Sequence, residues 1–458
     1  MQCERKIPGF SPMPIQQSQT AESLAATLER YFEFKKLGTN WRTEILAGIT
    51  TFITMAYIIV VNPAMLHETG MPYAAVLAAT CISAAIGSIL MGAYARYPIA
   101  LAPGMGLNAY FTYVVVKSMG VPWTVALGAV FVSGIAFFVL TVVGIRKMIV
   151  SAIPNDLHGA VAVGIGIFIA FIGLQQAGII IGNPETMVTM GSLRNHNTLL
   201  SLFGLLLIGG LLAWRVRAAI LIGILATTGV GALFHLVHWA PQWYSLHELS
   251  ATALKLDIPG ALKLGVPEII FTFLFIDLFD NVGTLVGVGK KAGLFDHSNL
   301  IPRVNRILYC DAGATVVGSL TGTSTVVSYI ESAAGVVAGG RSGVTAIVVG
   351  ILFLLSMFVA PVIGVIPAAA TAPALIVVGA LMISHVREIA WDDMMIAIPA
   401  FLTMLAIPLT FSIANGLAFG FTSYTLLRMI RGQFRQVSWL VYLLTALFIL
   451  RFIYLGSH

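Results

Sequence analysis

The chain consists largely of apolar runs about as long as a membrane-spanning helix. A helix needs about 20 predominantly apolar residues to cross the hydrocarbon core of a bilayer. The composition agrees, since 58% of the 458 residues are hydrophobic and only 10% are charged. We therefore predict an all-α polytopic membrane protein with fourteen spans. The predicted spans are 45–66, 74–93, 99–116, 122–144, 157–177, 198–214, 218–239, 266–288, 306–320, 323–339, 342–363, 368–384, 393–412 and 414–430.

Lys and Arg are unevenly distributed among the predicted connections. If the N-terminus is cytoplasmic, 20 of the 25 Lys and Arg residues fall on the inner side, four fall in outer loops, and Arg451 lies in a further apolar run. Because cytoplasmic loops carry the excess of positive charge, we predict an inner (plasma) membrane protein with a cytoplasmic segment over 1–43. The further run, Ser438 to Leu455, lies in a C-terminal extension over 432–458, and the sequence does not decide whether it spans.

The two halves of the chain share a weak sequence pattern. CISAAIGSILMG at 81–92 and CDAGATVVGSLTG at 310–322 form the second span of each half. Transporters are often built from inverted repeats. Seven spans per half is an odd number, so the second half would enter the membrane upside down. The sequence thus predicts a 7+7 inverted repeat.

The third span of each half, spans 3 and 10, is predicted to be broken. Pro103, Gly104 and Gly106 interrupt span 3, and the β-branched run Thr325–Val327 with Ser328 opens span 10. Non-helical backbone at membrane depth is tolerated only inside protein or along a cavity. We predict that each break holds a short extended segment followed by a half-helix, whose first N–H groups favour a bound polar ligand.

Three carboxylates lie at predicted membrane depth. Asp277 and Asp280 are one helical turn apart in span 8, and Glu331 follows the break in span 10. A charged carboxylate at the bilayer centre costs at least ~2.5 kcal/mol, so such residues usually mark a substrate or proton path. The alternative interpretation is that these acids are structural partners or lie near the headgroups, and it is strongest for Asp280.

Asp277, Glu331 and Asn108 together suit a flat heterocycle with N–H and C=O groups along its edge. Carboxylates accept from N–H groups, and Asn both donates and accepts. A mineral anion fits poorly, because acids repel it and the broken segments contain no Lys or Arg before Arg341. An inorganic cation stays open, and one of the three acids could carry a coupled proton.

Other functional classes lack support in the sequence. No predicted span contains a metal-ligand motif or a nucleophile with its base, so we predict no enzyme, no metal and no cofactor. The expected coupling ion is H+. No basic patch interleaved with aromatics predicts a nucleic-acid partner. We assign no role to the histidines, and we expect Cys3, Cys81 and Cys310 to be thiols.

Four stretches resemble one family of transporters. They are ALAPGMGLNAYF, IDLFDNVGTLVGV, GTSTVVSYIESAAGVVAGGRSG and IPAFLTMLAIPLTFSIANG. They are similar to the AzgA-like purine permeases of the nucleobase/ascorbate transporter superfamily, and the resemblance runs from about Thr43 to Arg431. It implies a core domain of spans 1–4 and 8–11 that moves against a gate domain of spans 5–7 and 12–14. In this chain the core is 44–144 with 266–363, and the gate is 145–265 with 364–431.

The resemblance also implies roles for single residues. Asp277 and Glu331 would bind the purine, Asn108 would shape or contact the site, and Asp280 would be needed for transport. Proton coupling would involve Asp280 or Glu331. The backbone at Ala102, Pro103, Ser328 and Tyr329 would border the ring. Phe111, Phe275 and Tyr329 are candidates for aromatic packing, with plain core packing as the alternative.

The leading prediction is secondary active, proton-coupled uptake of guanine or hypoxanthine. An adenine permease, or a permease of the same fold for uracil, xanthine or another heterocycle, is the alternative. The expected partners are a purine base and the lipid bilayer, and a homodimer is left open.

Overall fold

The computed structural model describes residues 25–144, 154–237, 246–263, 267–292, 302–358 and 365–454. These residues are mainly helical, as predicted. Cys3 and the ends of predicted spans 218–239, 266–288 and 342–363 lie outside them. The helices of the first half are α1 Phe34–Leu37, α2 Trp41–Met55, α3 Ile58–His67, α4 Tyr73–Leu90, α5 Met105–Ala109, α6 Trp123–Val142, α7 Asn155–Gln176, α8 His196–Ala213, α9 Ala219–Leu233 and α10 Ile258–Lys263. Those of the second half are α11 Pro267–Ala292, α12 Val304–Thr321, α13 Ser332–Val337, α14 Gly343–Ser356, α15 Ala368–Met382, α16 Met394–Leu409, α17 Ile413–Ile430 and α18 Trp439–Tyr454.

Wider or tighter helical turns extend several of these helices. π-helical turns continue α4 through Met91–Ala95 and α5 through Tyr110–Ser118, and a 3-10 turn over Ile383–Glu388 follows α15. Four strands lie within the described residues: β1 Leu101–Pro103, β2 Ile180–Asn183, β3 Met187–Met190 and β4 Val326–Ser328. The hairpin of β2 and β3 was not predicted. The Asn183 side chain shapes its turn by accepting from the N–H groups of Glu185 and Thr186.

The described helices confirm a polytopic membrane protein. Six helical stretches are long and apolar enough to cross a bilayer, and four more are apolar but shorter. The count of fourteen and the inverted repeat stay predictions. The six are Trp41–His67, Tyr73–Ala95, Trp123–Val142, Asp156–Gln176, His196–Ala213 and Ala368–Glu388, and the shorter four are Ala219–Leu233, Gly343–Ser356, Met394–Leu409 and Trp439–Leu450.

The two predicted breaks pair with each other as one antiparallel ribbon. β1 and β4 align Leu101 with Ser328, Ala102 with Val327 and Pro103 with Val326. The pairing continues at both ends, where Tyr329 N–H donates to Ala100 over 2.9 Å and Gly104 N–H donates to Thr325 over 2.9 Å. Each break therefore provides hydrogen-bond partners for the backbone of the other, which lipid could not do. The prediction of extended segments in both spans is confirmed.

Helices α4 and α12 support this ribbon from their own halves of the chain. Ser88 both accepts from Leu101 N–H and donates to its C=O, and Thr315 donates to the C=O of Val326 over 3.0 Å. Gly318 allows the close approach of α12, because a Cβ there would lie 2.7 Å from Val326 Cγ2. The matching Gly87 of α4 lies beneath the same ribbon. The glycine shared by the two patterns, Gly87 and Gly318, thus lies against the ribbon in both halves.

Charged side chains collect at the two ends of the molecule. Glu33 lies 3.3 Å from Arg96 and 3.4 Å from Arg303 at one end, and all three were predicted to be on the same side of the membrane. At the other end Glu68 pairs with Lys117. These contacts agree with the predicted grouping of the loops. Which end faces the cytoplasm stays a prediction.

The C-terminal apolar run forms helix α18 and packs along α17. The hydroxyls of Thr425 and Thr445 lie 2.8 Å apart, and both residues are buried.

Cys81 and Cys310 are buried free thiols, as expected.

We expect the substitution Glu33→Gln to lower stability by about 1 kcal/mol at neutral pH, the scale of a partly exposed ion-pair network. Partial burial alone would raise the pKa of Glu33, but attraction by Arg303, Lys36 and Arg96 lowers it below the ordinary 4.5. The network therefore stabilises the fold above pH 4.5, and the contribution is lost as the pH falls through the lower folded pKa. Thermal unfolding of the detergent-solubilised protein at neutral and acidic pH measures this. The exposed Glu185→Gln serves as control, and an equal loss at both pH values would contradict the prediction.

Candidate functional site

A cavity of about 80 Å³ lies where the two breaks meet the start of α5. Acidic, aromatic and hydroxyl side chains of the predicted core form one wall, and mostly apolar side chains of the predicted gate form the other. The core wall includes Tyr57, Met105, Asp280, Ser328, Tyr329 and Glu331, and the gate wall comprises Ala162, Val378, Met382 and His385.

Glu331 and Tyr329 reach the cavity from the segment that joins β4 to α13. The Tyr57 hydroxyl donates to Glu331 Oε1 over 2.8 Å, and the Tyr329 hydroxyl donates to the C=O of Pro103 over 2.5 Å. Tyr329 therefore bridges the two breaks, while Tyr57, between α2 and α3, fixes the carboxylate of Glu331. Ser328 is buried beside them at the end of β4.

The two acids of α11 differ in their surroundings. Asp280 lines the cavity and interacts electrostatically with Asp311 of α12 and with Glu331. Asp277, one turn earlier, is only 1% exposed and does not line the cavity. Asp311 is fully buried and was not singled out in the sequence. Acidic groups around a site without Lys or Arg in its described lining favour a cation or a ligand with N–H donors over an anion.

Asn108 lies behind the cavity in a buried network of polar side chains. Its amide donates to Asn62 Oδ1, and the Ser324 hydroxyl donates to Asn108 Oδ1. The Asn62 amide in turn donates to Thr80 over 2.7 Å and to Thr323 over 3.0 Å. The structure thus places Asn108 as a link between the helix after β1 and the segment before β4.

The remaining predicted residues also lie in the surrounding packing. Ala102 is fully buried in β1 opposite Val327. Phe111 packs against Phe273, with ring centroids 6.4 Å apart, and Phe275 packs against Phe271 at 4.3 Å. Neither ring lines the cavity.

A second cavity, of about 470 Å³, adjoins the first and leads to one end of the molecule. The two share Glu331, Met382 and His385. The larger cavity reaches Val337, whose side chain is 72% exposed, and Arg217, which lies in a predicted cytoplasmic loop. The larger cavity thus connects the surroundings of Glu331 with the predicted cytoplasmic loop at Arg217.

At the opposite end a polar cluster links the predicted core to the predicted gate. Gln176, the last residue of α7, donates to Glu68 Oε1 over 2.5 Å and also to the Tyr113 hydroxyl. Tyr113 itself donates to Glu68 over 2.9 Å, and Lys117 pairs with the same carboxylate. The larger cavity and this polar cluster thus lie at opposite ends of the molecule.

Several residues of the site were not predicted from the sequence. Tyr57 and Asn62 lie in span 1, where a polar group at membrane depth is a detectable signal. His385 lines both cavities and lies 3.4 Å from Glu388, although we assigned it no role. Within the described residues no cluster of three or more His, Cys, Asp or Glu could hold a metal ion.

Comparisons with known proteins add to this geometry. Residues 42–419 match the model of the Permease family. The chain belongs to the Permease family. It is 53% identical to the "Putative permease MJ0326" of Methanocaldococcus jannaschii, over 94% of this chain and 99% of that one. It is 45% identical to the Bacillus subtilis "Guanine/hypoxanthine permease PbuG", over 93% of this chain and 100% of that one. It is 43% identical to the Escherichia coli "Adenine permease AdeP", over 96% of this chain and 99% of that one.

This member of the Permease family also resembles a solved transporter structure. The transmembrane domain of a cyanobacterium bicarbonate transporter, BicA, superposes with a TM-score of 0.64, over 81% of this chain and 96% of that one. Sequence identity is 15%, so the likeness concerns the fold alone. It agrees with the predicted transporter fold of apolar helices.

We expect Asn108→Ala to destabilise the protein by about 1–3 kcal/mol, because it removes the hydrogen bonds that Asn62 Oδ1 and the Ser324 hydroxyl make with Asn108. Thermal unfolding in detergent measures the loss. Asn305→Ala, an exposed position on α12, is the matched control and should change stability little. A variant as stable as the parent would show that the network does not hold the breaks together.

Proposed function

We propose that this permease is a secondary active transporter of purine nucleobases. The observation that carries the proposal is the cavity at the paired breaks, where Asp280 and Glu331 face the predicted gate. Carboxylates suit the N–H groups of a purine edge. Relatives named as guanine/hypoxanthine and adenine permeases, at 45% and 43% identity, support the same ligand class.

The transport cycle would move the core against the gate in an elevator or rocking motion. A ligand pocket typically measures at least about 300 Å³, whereas the cavity measures about 80 Å³. We propose that the two walls separate when a base binds between them. The larger cavity would be the route to the cytoplasm, and the cluster around Glu68 would open when the site faces outward. We place the protein in the inner (plasma) membrane with the N-terminus inside.

The ligand contacts follow from the positions of the side chains. Glu331 would accept from the purine N–H groups, with Ser328 and Tyr329 along the ring. Asp277 would join them only after the cavity widens. Asp280 and Glu331 are the proposed carriers of a coupled proton. Asn108 and Ala102 would hold the shape of the breaks.

Uptake of radiolabelled hypoxanthine into cells without endogenous purine permeases tests the function. Adenine, guanine, xanthine, uracil and uric acid serve as competitors, with and without a protonophore. Saturable uptake that guanine blocks and the protonophore abolishes supports a proton-coupled guanine/hypoxanthine permease. Stronger competition by adenine would favour the adenine alternative, since relatives of both kinds are similarly close. Absence of any purine uptake or competition would overturn the purine assignment.

Glu331→Gln should abolish purine binding and uptake while the protein still inserts into the membrane. The amide presents an N–H₂ group where the purine needs an acceptor, and it removes the negative charge. Binding to the purified protein and uptake in cells are the measurements. Glu185→Gln, an exposed position between β2 and β3, makes the same chemical change away from the site and should act like the parent. Parental uptake by Glu331→Gln would refute the assignment of Glu331.

Asp280→Asn should change the transport rate and its pH dependence more than the affinity for the purine. The substitution keeps the shape of the side chain but prevents it from carrying a proton. Uptake measured across a pH series, beside equilibrium binding, separates the two effects. The exposed Asp392→Asn is the control. An unchanged pH profile would make Asp280 a structural residue.

A further inference from the structure

We propose that Tyr57 is the positioning residue for the ligand-binding carboxylate of Glu331. The inference rests on the proposed function, which makes Glu331 a ligand contact. Tyr57 lies at the turn between α2 and α3. Here the N–H groups of Ile59 and Val60 donate to the C=O groups of Ala56 and Tyr57, three residues earlier in the chain. Its side chain is 1% exposed and lines the cavity.

The hydrogen bond between the two residues has one direction. An ionised carboxylate can only accept, so the Tyr57 hydroxyl is the donor over the 2.8 Å to Glu331 Oε1. A buried hydroxyl is costly without a partner, and Glu331 satisfies it. A carboxylate offers about four lone-pair positions, so this bond leaves others for a ligand. Glu331 lines both cavities and is therefore still within reach of one.

The backbone on either side of the bond is also held together. Gly335 follows Glu331 by about one turn in α13, and a Cβ there would lie 2.1 Å from Thr51 Oγ1 and 2.6 Å from the C=O of Ala47. Thr51 and Ala47 belong to α2, just before Tyr57. Helix α2 thus packs directly on the backbone of α13, while Tyr57 fixes the carboxylate of Glu331, the residue before α13.

The residues around Glu331 distinguish a positioning role of Tyr57 from a gating role. Tyr57 and Glu331 both belong to the predicted core, so their bond persists when the core moves as a unit. Ala162, Met382 and His385 lie on the predicted gate wall and would change their distance to Glu331. Tyr57 should therefore set how well the site binds, with little effect on how fast it changes orientation.

Tyr57→Phe removes only the hydroxyl, and we expect the KM for hypoxanthine uptake to rise about tenfold, the scale of one hydrogen bond to a charged group. The maximal rate, corrected for the amount of protein in the membrane, should change less than about twofold. The matched control is Tyr73→Phe. The Tyr73 hydroxyl is buried and has no hydrogen-bond partner within the described residues, and the residue lies beside His67, outside the cavity lining. Its KM should equal that of the parent.

A double-mutant cycle distinguishes positioning from a general loss of packing. Glu331→Asp withdraws the carboxylate from Tyr57, so adding Tyr57→Phe to it should raise the KM less than about twofold further. A second tenfold increase would overturn the proposal. If Tyr57→Phe fails to insert, replacement of Tyr57 by 3-fluorotyrosine keeps the fold and makes the phenol a stronger donor. The KM should then fall relative to the parent, and an unchanged KM would count against the proposal.

The two hypotheses fail in different ways. A parent protein that carries no purine refutes the proposed function, and with it the role of Tyr57. A parent that carries hypoxanthine beside a Tyr57→Phe variant with parental KM, or with reduced maximal rate alone, refutes only the role of Tyr57.

Discussion

The hydrogen bonds between the two broken membrane segments are the interaction on which the rest of this structure depends. Lipid cannot satisfy free backbone N–H and C=O groups, so neither break could exist alone at membrane depth. Pairing β1 with β4 satisfies both and brings the start of α5 next to the segment that carries Glu331. Ser88 and Thr315 then fix the ribbon to its supporting helices. The candidate site is the space that this pairing leaves beside α7, α11 and α15.

Much of this arrangement could be predicted from the sequence because the signals are local. Pro103 with its neighbouring glycines disfavours a continuous helix, and the β-branched residues before Ser328 favour extended backbone. Carboxylates such as Asp280 and Glu331 in apolar runs indicate a polar cavity, and both line one. The antiparallel register between residues far apart in the chain could not be predicted, because it depends on tertiary packing.

The sequence was less informative about which polar residues face the cavity. Asn108 and Asp277 carry the same kinds of polar group as the residues of the cavity wall, but the structure places both behind it. Tyr57 and His385 line the cavity, although one lies in an apolar span and the other near a predicted membrane boundary. The direction in which a side chain points depends on how helices rotate against each other, and residue type alone does not encode that rotation.

The three-residue ribbon also limits how the two halves of such a chain can diverge. Shifting β1 by one residue against β4 would turn its side chains to the opposite face, and would separate Leu101 from Ser328. An insertion or deletion in one break therefore requires a matching change in the other half. The strands of the β2–β3 hairpin at 180–190 pair with each other, so this hairpin can vary in length by itself. Chimaeras of two relatives should thus work best when the segments that contain β1 and β4 both come from the same parent.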